Sequence, residues 1–511
     1  MTLHRLDYPE VPVSAIAAGS ARRFGDRTAF VHHDDQLTYA QLWQRACQFA
    51  NGLVDRGVRP GDPVALVMPN CLAYPVAYYG LLLAGATFVP VNPLMPQAAV
   101  RAQVEDAGAV LTLRREDVAE IWEGQPDTPP DVRIDVHTSL AHLAYTGGTT
   151  GVSKGVRLPH RNVVVNSLQF ACWQSGSVPA LDASGGLILD QVSDPAEYPG
   201  RVGTGKAINL TPWFHAMGTV AGLNVIILSG VRLVLHDRFD PARYLADAAT
   251  HQVTHMGGAP AMYAGLLATP TIETTDLSSV RSIGSGAAPM PMEMTRALHR
   301  LMPSAVIGEG YGLTEVTMGA CSSPLAVSAT RKVGTVGVPV YDTEIKIVPP
   351  EGGEDPQPTG TPGEVCIRGP QVMAGYHNHP EETASVLVDG WLHTGDIGVV
   401  DTDGYLSIVD RKKDMLIYKG YNVYPRELEE LLVAHPGVAM AAVVGRKSVE
   451  VGELPVAFVV PTQPDLTPER LMTEINADVV PYKRLREVIL IDQLPISAAG
   501  KILKRELRQR L

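Results

Sequence analysis

Cysteine is scarce in this chain: five in 511 residues, at Cys47, Cys71, Cys172, Cys321 and Cys366. They are far apart, odd in number and form no CxxC pair, which excludes a disulfide framework and a zinc ribbon and fits a reducing cytoplasm. Positive charge is also in deficit, with 42 Lys+Arg against 54 Asp+Glu and a net charge of −12. A general nucleic-acid binder needs a basic footprint to displace counterions from phosphates, so that class is excluded. The first residues, MTLHRLDYPEVPVSAIAAGSARRFGDR, lack the apolar core of a signal peptide. Long hydrophobic runs are few. Tyr74–Val91 is interrupted by Gly80 and Gly85 and runs to Pro90 and Pro93, and Gly218–Leu235 carries Asn224 and Arg232. Each reads as a buried helix leading into a buried strand, not as the ~20 apolar residues that cross a bilayer. There is no repeat and no low-complexity tract; the 48 glycines and 40 prolines are scattered at turns.

What is present is the composition of a globular enzyme, 45% hydrophobic and 19% charged. The length exceeds the roughly 250–300 residues that pack around one core, so a large body and a smaller domain are expected. Residues 37–57 open with Thr38 as a helix cap and place Leu42, Ala46, Phe49, Ala50 and Leu53 on one face. Val64–Met68 and Thr87–Val91 read as buried strands. The strand–helix rhythm returns at Arg232–Leu235, Val253–Met256 and Ser282–Ile283, which predicts mainly parallel sheets flanked by helices. After about residue 330 short strands at Glu344–Val348, Glu364–Arg368, Gly398–Val400 and Leu406–Val409 alternate with Gly/Pro/Asp turns, as in a small antiparallel unit. The charged run Asp410-Arg-Lys-Lys-Asp414 reads as a domain joint. Beyond it come a helix Pro425–Ala434, strands Ala439–Gly445 and Val456–Pro461, a helix Pro468–Ala477 and a basic tail. The expected class is α/β: a large N-terminal domain over 1–410, then a small mobile α+β domain over 411–511.

The stretch Leu143-Ala-Tyr-Thr-Gly-Gly-Thr-Thr-Gly-Val-Ser-Lys-Gly155 concentrates glycines, hydroxyls and one lysine. Its exposed amides, with Thr146, Gly147, Gly148, Thr149, Thr150 and Lys154, can wrap a polyphosphate. It is not a Walker loop, since no GK[ST] closes it. On composition alone, a mobile surface loop remains the alternative.

Four further motifs follow: Tyr311-Gly-Leu-Thr-Glu315, Trp391-Leu-His-Thr-Gly-Asp396, the stretch from Asp410-Arg-Lys-Lys to Tyr424-Pro425, and Pro495-Ile-Ser-Ala-Ala-Gly-Lys-Ile-Leu-Lys504. In this order and spacing they resemble the acyl-adenylate-forming superfamily of acyl-CoA synthetases, peptide-synthetase adenylation domains and luciferases, over nearly the whole chain. The resemblance implies ATP and Mg²⁺ as cofactors and assigns roles. Thr314 donates to the α-phosphate, and Glu315 offers the hard oxygen that Mg²⁺ prefers. Asp396 grips the ribose hydroxyls with Arg411 as a second contact. Gly286, Ala287 and Ala288 form a shelf along the adenine, with Tyr311 stacking on its face beside Gly312. Lys501 is the catalytic lysine, a cation at the charge that develops as carboxylate and α-phosphate join. Lys413 is the hinge about which the small domain rotates, and Lys419–Asn422 faces the site in the second state. Taken alone, Thr-Glu reads first as a helix start and Lys501 as a solvated lysine of a basic tail, Asp396 is equally a turn aspartate, and a core ring competes at Tyr311. Two departures stand out: Gly148 replaces the serine of many members, and residues 176–206 form a longer connection that either caps the acyl pocket or is disordered.

The resemblance places the acyl pocket at Trp213, His215, Met217, Met256, Gly257, Gly284–Gly286 and Met318, with His215 in an aromatic-histidine motif. Glycines leave room and methionines adapt to irregular apolar shapes, so an apolar aromatic, cyclic or medium-chain acid is expected. The acceptor stays open between coenzyme A and an amine, the latter as in ligases that join coronafacic-type acids to amino acids. A non-catalytic binder is disfavoured because Lys501, Glu315 and Asp396 are all present. A homodimer is compatible with the resemblance, and neither nucleic acid nor a membrane span is expected.

Overall fold

A computed structural model describes residues 5–146, 153–286, 290–448, 450–463, 465–496 and 502–511. Gly147, Gly148, Thr149, Thr150, Ala287, Ala288 and Lys501 lie outside the described residues. The fold is α/β, with a large N-terminal part of mixed sheets and helices and a smaller C-terminal part. The described residues divide into two compact units: one holds residues up to 344 together with 367–392, the other 345–366 and 393 onward.

The first unit is built on two sheets. In the larger, the strands Val306–Tyr311, Ser282–Ser285, His255–Gly258, Lys206–Asn209, Arg232–Leu235 and Thr28–His32 lie side by side and parallel. Antiparallel strands Asp35–Thr38 and Cys321–Ser322 flank them. Parallel strands place all their C-terminal ends on one edge, where open α/β sheets hold their ligands. The second sheet pairs Pro63–Val67, Thr87–Val91, Leu111–Leu113 and Leu140–Tyr145 in parallel, with Gly155–Pro159 antiparallel at the end. Its strands Pro63–Val67 and Thr87–Val91 are buried almost throughout, as parallel strands covered on both faces are.

Local chemistry explains the elements. The helix Tyr39–Asp55 starts with a capping box: the Gln41 amide donates to Thr38 Oγ1 (3.1 Å) and the Thr38 amide to Gln41 Oε1 (3.0 Å). It buries Leu42, Ala46, Phe49, Ala50 and Leu53, the face expected from the spacing. Among the described residues no helix is long and apolar enough to cross a membrane. In the second apolar run, Asn224 is buried and holds two tyrosines, accepting from Tyr79 Oη and donating to Tyr78 Oη. Residues 176–206 contain a folded hairpin, Ser177–Leu181 with Leu187–Gln191. It is tied to helix Ser14–Phe24 through Arg22 Nε and Asp182 Oδ2 at 2.6 Å. The disordered alternative for this segment is thereby excluded over the hairpin.

In the second unit, the strand expected at Gly398–Val400 is the end of a longer one, Trp391–Val400. Gly395 reads as a turn in the sequence, yet its left-handed φ of 70° is accommodated within the strand by pairing with Leu406–Arg411. The helices Pro425–Ala434 and Pro468–Ala477 pack on a sheet of Val438–Ser448, Gly452–Pro461, Glu487–Leu490 and the hairpin Leu416–Tyr418/Tyr421–Val423.

Candidate active site

The base of the glycine-rich loop is the hairpin of Leu140–Tyr145 and Gly155–Pro159. Thr146 and Lys154 close it: the Thr146 amide donates to the Lys154 carbonyl at 3.0 Å, and Ser153 Oγ donates to the Thr146 carbonyl. Lys154 is salt-bridged to Glu382 and sits 5.2 Å from the centre of the Tyr376 ring. The same Tyr376 forms an antiparallel bridge with Val156 and donates its hydroxyl to Glu315 Oε1 at 2.8 Å. One tyrosine therefore couples the root of the loop to the Thr-Glu turn. Burial and the Glu315 carboxylate push the Tyr376 hydroxyl up, so it stays a donor at neutral pH.

The Thr-Glu turn is itself constrained. Thr314–Val316 is one 3₁₀ turn, and Thr317 follows with φ 69°, an outlier for a β-branched residue. Thr317 Oγ1 donates to the Gln371 carbonyl at 2.8 Å, and the Met373 amide donates to the Glu315 carbonyl at 2.8 Å. The Asn166 side chain clamps the next segment, accepting from the Gly319 amide and donating to its carbonyl. Gly312 has a packing reason: a Cβ there would lie 2.0 Å from the Met318 carbonyl oxygen. Strain of this kind, held by many contacts, is a feature of functional turns.

The C-terminal edge of the large sheet carries aligned glycines. Gly257 and Gly284 are paired in register and both are exposed. A Cβ on Gly257 would meet nothing within 4 Å, and one on Gly284 only the Met256 carbonyl at 4.0 Å. On Gly286 it would meet the Met217 sulfur at 3.5 Å. The sheet thus has a bare, side-chain-free surface beside Met217. His215 caps the short helix Ala216–Thr219 and accepts from the Met217 amide. Met256 and Trp213 are buried. Trp213 packs against Phe30 and Tyr74, its indole N–H donating to the Gly222 carbonyl, which fixes the Trp-Phe-His turn. Tyr311 and Met318 are half-buried, at the start and just past the end of the Thr-Glu turn.

In the second unit Asp396 and Arg411 are cross-strand partners, Oδ1 to Nε 3.5 Å. Glu364 accepts from the Gly395 amide (3.1 Å) and from Lys412 Nζ (2.8 Å), pinning the backbone just before Asp396. In the charged run, Asp410 accepts from the Arg411 and Arg426 amides, and Asp414 pairs with Arg508 at 2.5 Å. Lys413 between them is exposed.

Tyr376 therefore links Lys154, and through it Thr146, to Glu315 of the Thr-Glu turn, while Met217, Gly257, Gly284 and Gly286 border one bare sheet surface. Asp396, Arg411 and Lys413 lie in the other unit. Tyr376, Glu382 and Asn166 were missed from the sequence. Gly375-Tyr376 carries no periodic signal, and Glu382 reads only as an acidic first turn behind Pro380. As to cation chemistry, a single anchored carboxylate is the donor set Mg²⁺ takes alongside phosphate oxygens. Glu315 fits that requirement.

The chain is similar to known proteins over most of its length. The profile of the family described as "AMP-binding enzyme" matches residues 18–377, and that of "AMP-binding enzyme C-terminal domain" matches residues 427–501. A long-chain-fatty-acid–CoA ligase of Bacillus subtilis (strain 168) is 33% identical over 564 residues, covering 99% of this chain and 95% of that protein. A feruloyl-CoA synthase of Amycolatopsis sp is 35% identical over 508 residues, covering 96% and 97%. The crystal structure of ATP-bound MatB from Rhodopseudomonas palustris superposes with a TM-score of 0.85 at 27% identity, covering 98% of this chain and 99% of that one.

Proposed function

The chain belongs to the AMP-binding enzyme family, in which the curated relatives described above are acyl-CoA ligases, and from that membership we propose that it joins an apolar carboxylic acid to coenzyme A through an acyl-adenylate. The carboxylate oxygen attacks the α-phosphorus of ATP and pyrophosphate leaves; the thiol then attacks the acyl carbon and AMP leaves. The observation that carries this reading is the junction at Tyr376, which links the loop rooted at Thr146 and Lys154 to Glu315. It supports a triphosphate lying along that loop beside the carboxylate.

Each residue then has a task. Thr146 to Thr150 and Lys154 hold the phosphates, and Thr314 donates to the α-phosphate. Glu315, oriented by Tyr376, would hold Mg²⁺, which neutralises phosphate charge when bound. Tyr311 and Gly286–Ala288 border the adenine, and Asp396 with Arg411 takes the ribose. Lys501 stabilises the charge at the forming acyl–phosphate bond. The acid lies on the bare surface of Gly257 and Gly284, bounded by Met217, Met318 and His215, with Met256 and Trp213 packed behind. No acidic or basic side chain among these residues asks for a charged tail, which supports an apolar acid. We place the start of the small domain at 411 and its pivot at Lys413, where two pinned aspartates flank one exposed residue. The five cysteines are all buried and unpaired, which supports a reducing compartment.

The test offers Mg-ATP, a panel of aromatic, cyclic and aliphatic acids, and either coenzyme A or mixed amino acids, with products read by mass. A thioester supports the reading. An amide without thioester replaces coenzyme A by an amine and leaves the adenylate intact.

A further inference from the structure

We propose that His32, His33 and Asp237 form a binding site for a divalent transition-metal ion of the zinc, cobalt, nickel or copper class. His32 ends the strand Thr28–His32, and Asp237 follows the parallel neighbour Arg232–Leu235 by two residues. The site lies in the first unit, where those two strands end.

Consecutive residues of a strand point to opposite faces, so two adjacent histidines do not ordinarily share a ligand. Here His33 adopts φ 55°, a left-handed conformation uncommon outside glycine. The turn brings its ring onto that of His32, with centroids 4.4 Å apart and planes 29° from parallel. Both Nε2 atoms then converge on one carboxylate: His32 Nε2 is 2.8 Å from Asp237 Oδ1, and His33 Nε2 is 3.0 Å from Oδ2. All three ligand atoms lie within 4.8 Å of one another.

Bonds of about 2.0–2.2 Å to a tetrahedral ion set neighbouring ligand atoms about 3.3–3.6 Å apart. The two histidine–carboxylate separations, 2.8 and 3.0 Å, fall short of this by about 0.3–0.8 Å. His33 and Asp237 are 54% and 56% exposed while His32 is 7% exposed, so two mobile ligands can open around one fixed ligand. Without an ion each Nε2 carries the proton it donates to Asp237; coordination through the Nε2 lone pairs moves that proton to Nδ1 of the same ring, so a neutral ring loses none overall. Two imidazoles with one carboxylate select borderline transition metals over Mg²⁺ and Ca²⁺, which prefer all-oxygen sets. The ion therefore differs in class from the one assigned to Glu315. Its effect is mechanical: it ties the turn of the edge hairpin Thr28–Thr38 to the strand at Arg232–Leu235, where a sheet edge needs protection.

The experiment titrates the full chain, without ATP, with Co²⁺ and reads the visible absorption of the bound ion. Zn²⁺ is then added as competitor, and thermal melting is followed with and without Zn²⁺. One equivalent of Co²⁺ should bind, be displaced by Zn²⁺ and resist excess Mg²⁺, and Zn²⁺ should raise the melting temperature. His33→Asn, which tolerates the left-handed backbone, and Asp237→Asn should each weaken binding at least about 10-fold. Both should melt like the parent chain in the absence of metal and retain its ligase activity. No saturable Co²⁺ binding by the parent chain, or binding and spectrum unchanged in both variants, would overturn the proposal.

Discussion

Gly257→Val is the substitution that most directly probes the proposed acyl surface. Gly257 is not among the left-handed glycines, and a Cβ there meets nothing within 4 Å. A valine in the strand His255–Gly258 therefore fits without displacing backbone, and in a strand it relieves the glycine cost of roughly 0.5–1 kcal/mol. Its branches project into the space the acid would occupy. Excluding two methylenes of substrate costs about 1.6 kcal/mol at about 0.8 kcal/mol each, a factor of about 15 in binding. We expect kcat/KM for the longest accepted acid to fall by about that factor or more, while a shorter acid keeps its rate and the melting temperature does not drop. The assay is acid-dependent ATP–pyrophosphate exchange across a homologous series. An equal loss for every acid, or no loss for any, refutes the pocket. Gly312→Ala is the contrasting control: its Cβ would lie 2.0 Å from the Met318 carbonyl oxygen, so activity should collapse with every acid.

Other outcomes follow from the same contacts. Tyr376→Phe removes a hydrogen bond to a carboxylate, about 1.5–3 kcal/mol; kcat/KM for Mg-ATP should fall roughly 10–150-fold with little change in melting, and parent-like kinetics would contradict the coupling. Lys501→Ala should slow adenylation about 10²–10³-fold while a preformed adenylate is still transferred; equal loss of both half-reactions would contradict its assignment. Burial depresses His142 to about 3 and His160 to about 4 from the ordinary 6.5. The unfolded chain takes up protons that the folded one refuses, so stability holds above about pH 6.5 and falls below it, by up to about 2.7 kcal/mol per pH unit for the pair. A melting temperature flat from pH 7 to 5 would contradict this. Lys504→Ala strips the partner (2.8 Å) from Glu429, whose carboxyl is raised chiefly by burial. Hydrogen exchange in helix Pro425–Ala434 should accelerate at pH 7, corresponding to about 3 kcal/mol, and less as the pH is lowered, because burial favours the protonated Glu429 carboxyl.

Much of the fold was legible because it is written in local patterns. The helices Pro425–Ala434 and Pro468–Ala477 begin at a proline in the first turn, the signal that gives their bounds. Thr38 announced its helix by a capping box. Strands fared less well where tertiary pairing decides: His255–Gly258 runs on into two glycines because Gly257 and Gly258 pair with Gly284 and Ser285, and Trp391–Val400 passes through a glycine that reads as a turn. Among site residues, the motifs pointed to Thr146, Lys154, Thr314, Glu315, Asp396 and Arg411, the groups proposed to hold phosphate and ribose. Tyr376 escaped because its role depends on a bridge to Val156, 220 positions away in sequence, and no period or spacing encodes such a contact. His32 and His33 escaped for a related reason: only the left-handed turn turns a His-His pair into convergent ligands.

The central claim is that this chain makes an acyl-adenylate. Acid-dependent exchange of labelled pyrophosphate into ATP, measured over aromatic, cyclic and aliphatic acids without any acceptor, tests it most directly. The account predicts exchange that requires both Mg²⁺ and an apolar acid, with AMP released once coenzyme A is added. Absence of exchange with every acid of the panel, or release of ADP and phosphate in place of AMP and pyrophosphate, would contradict it.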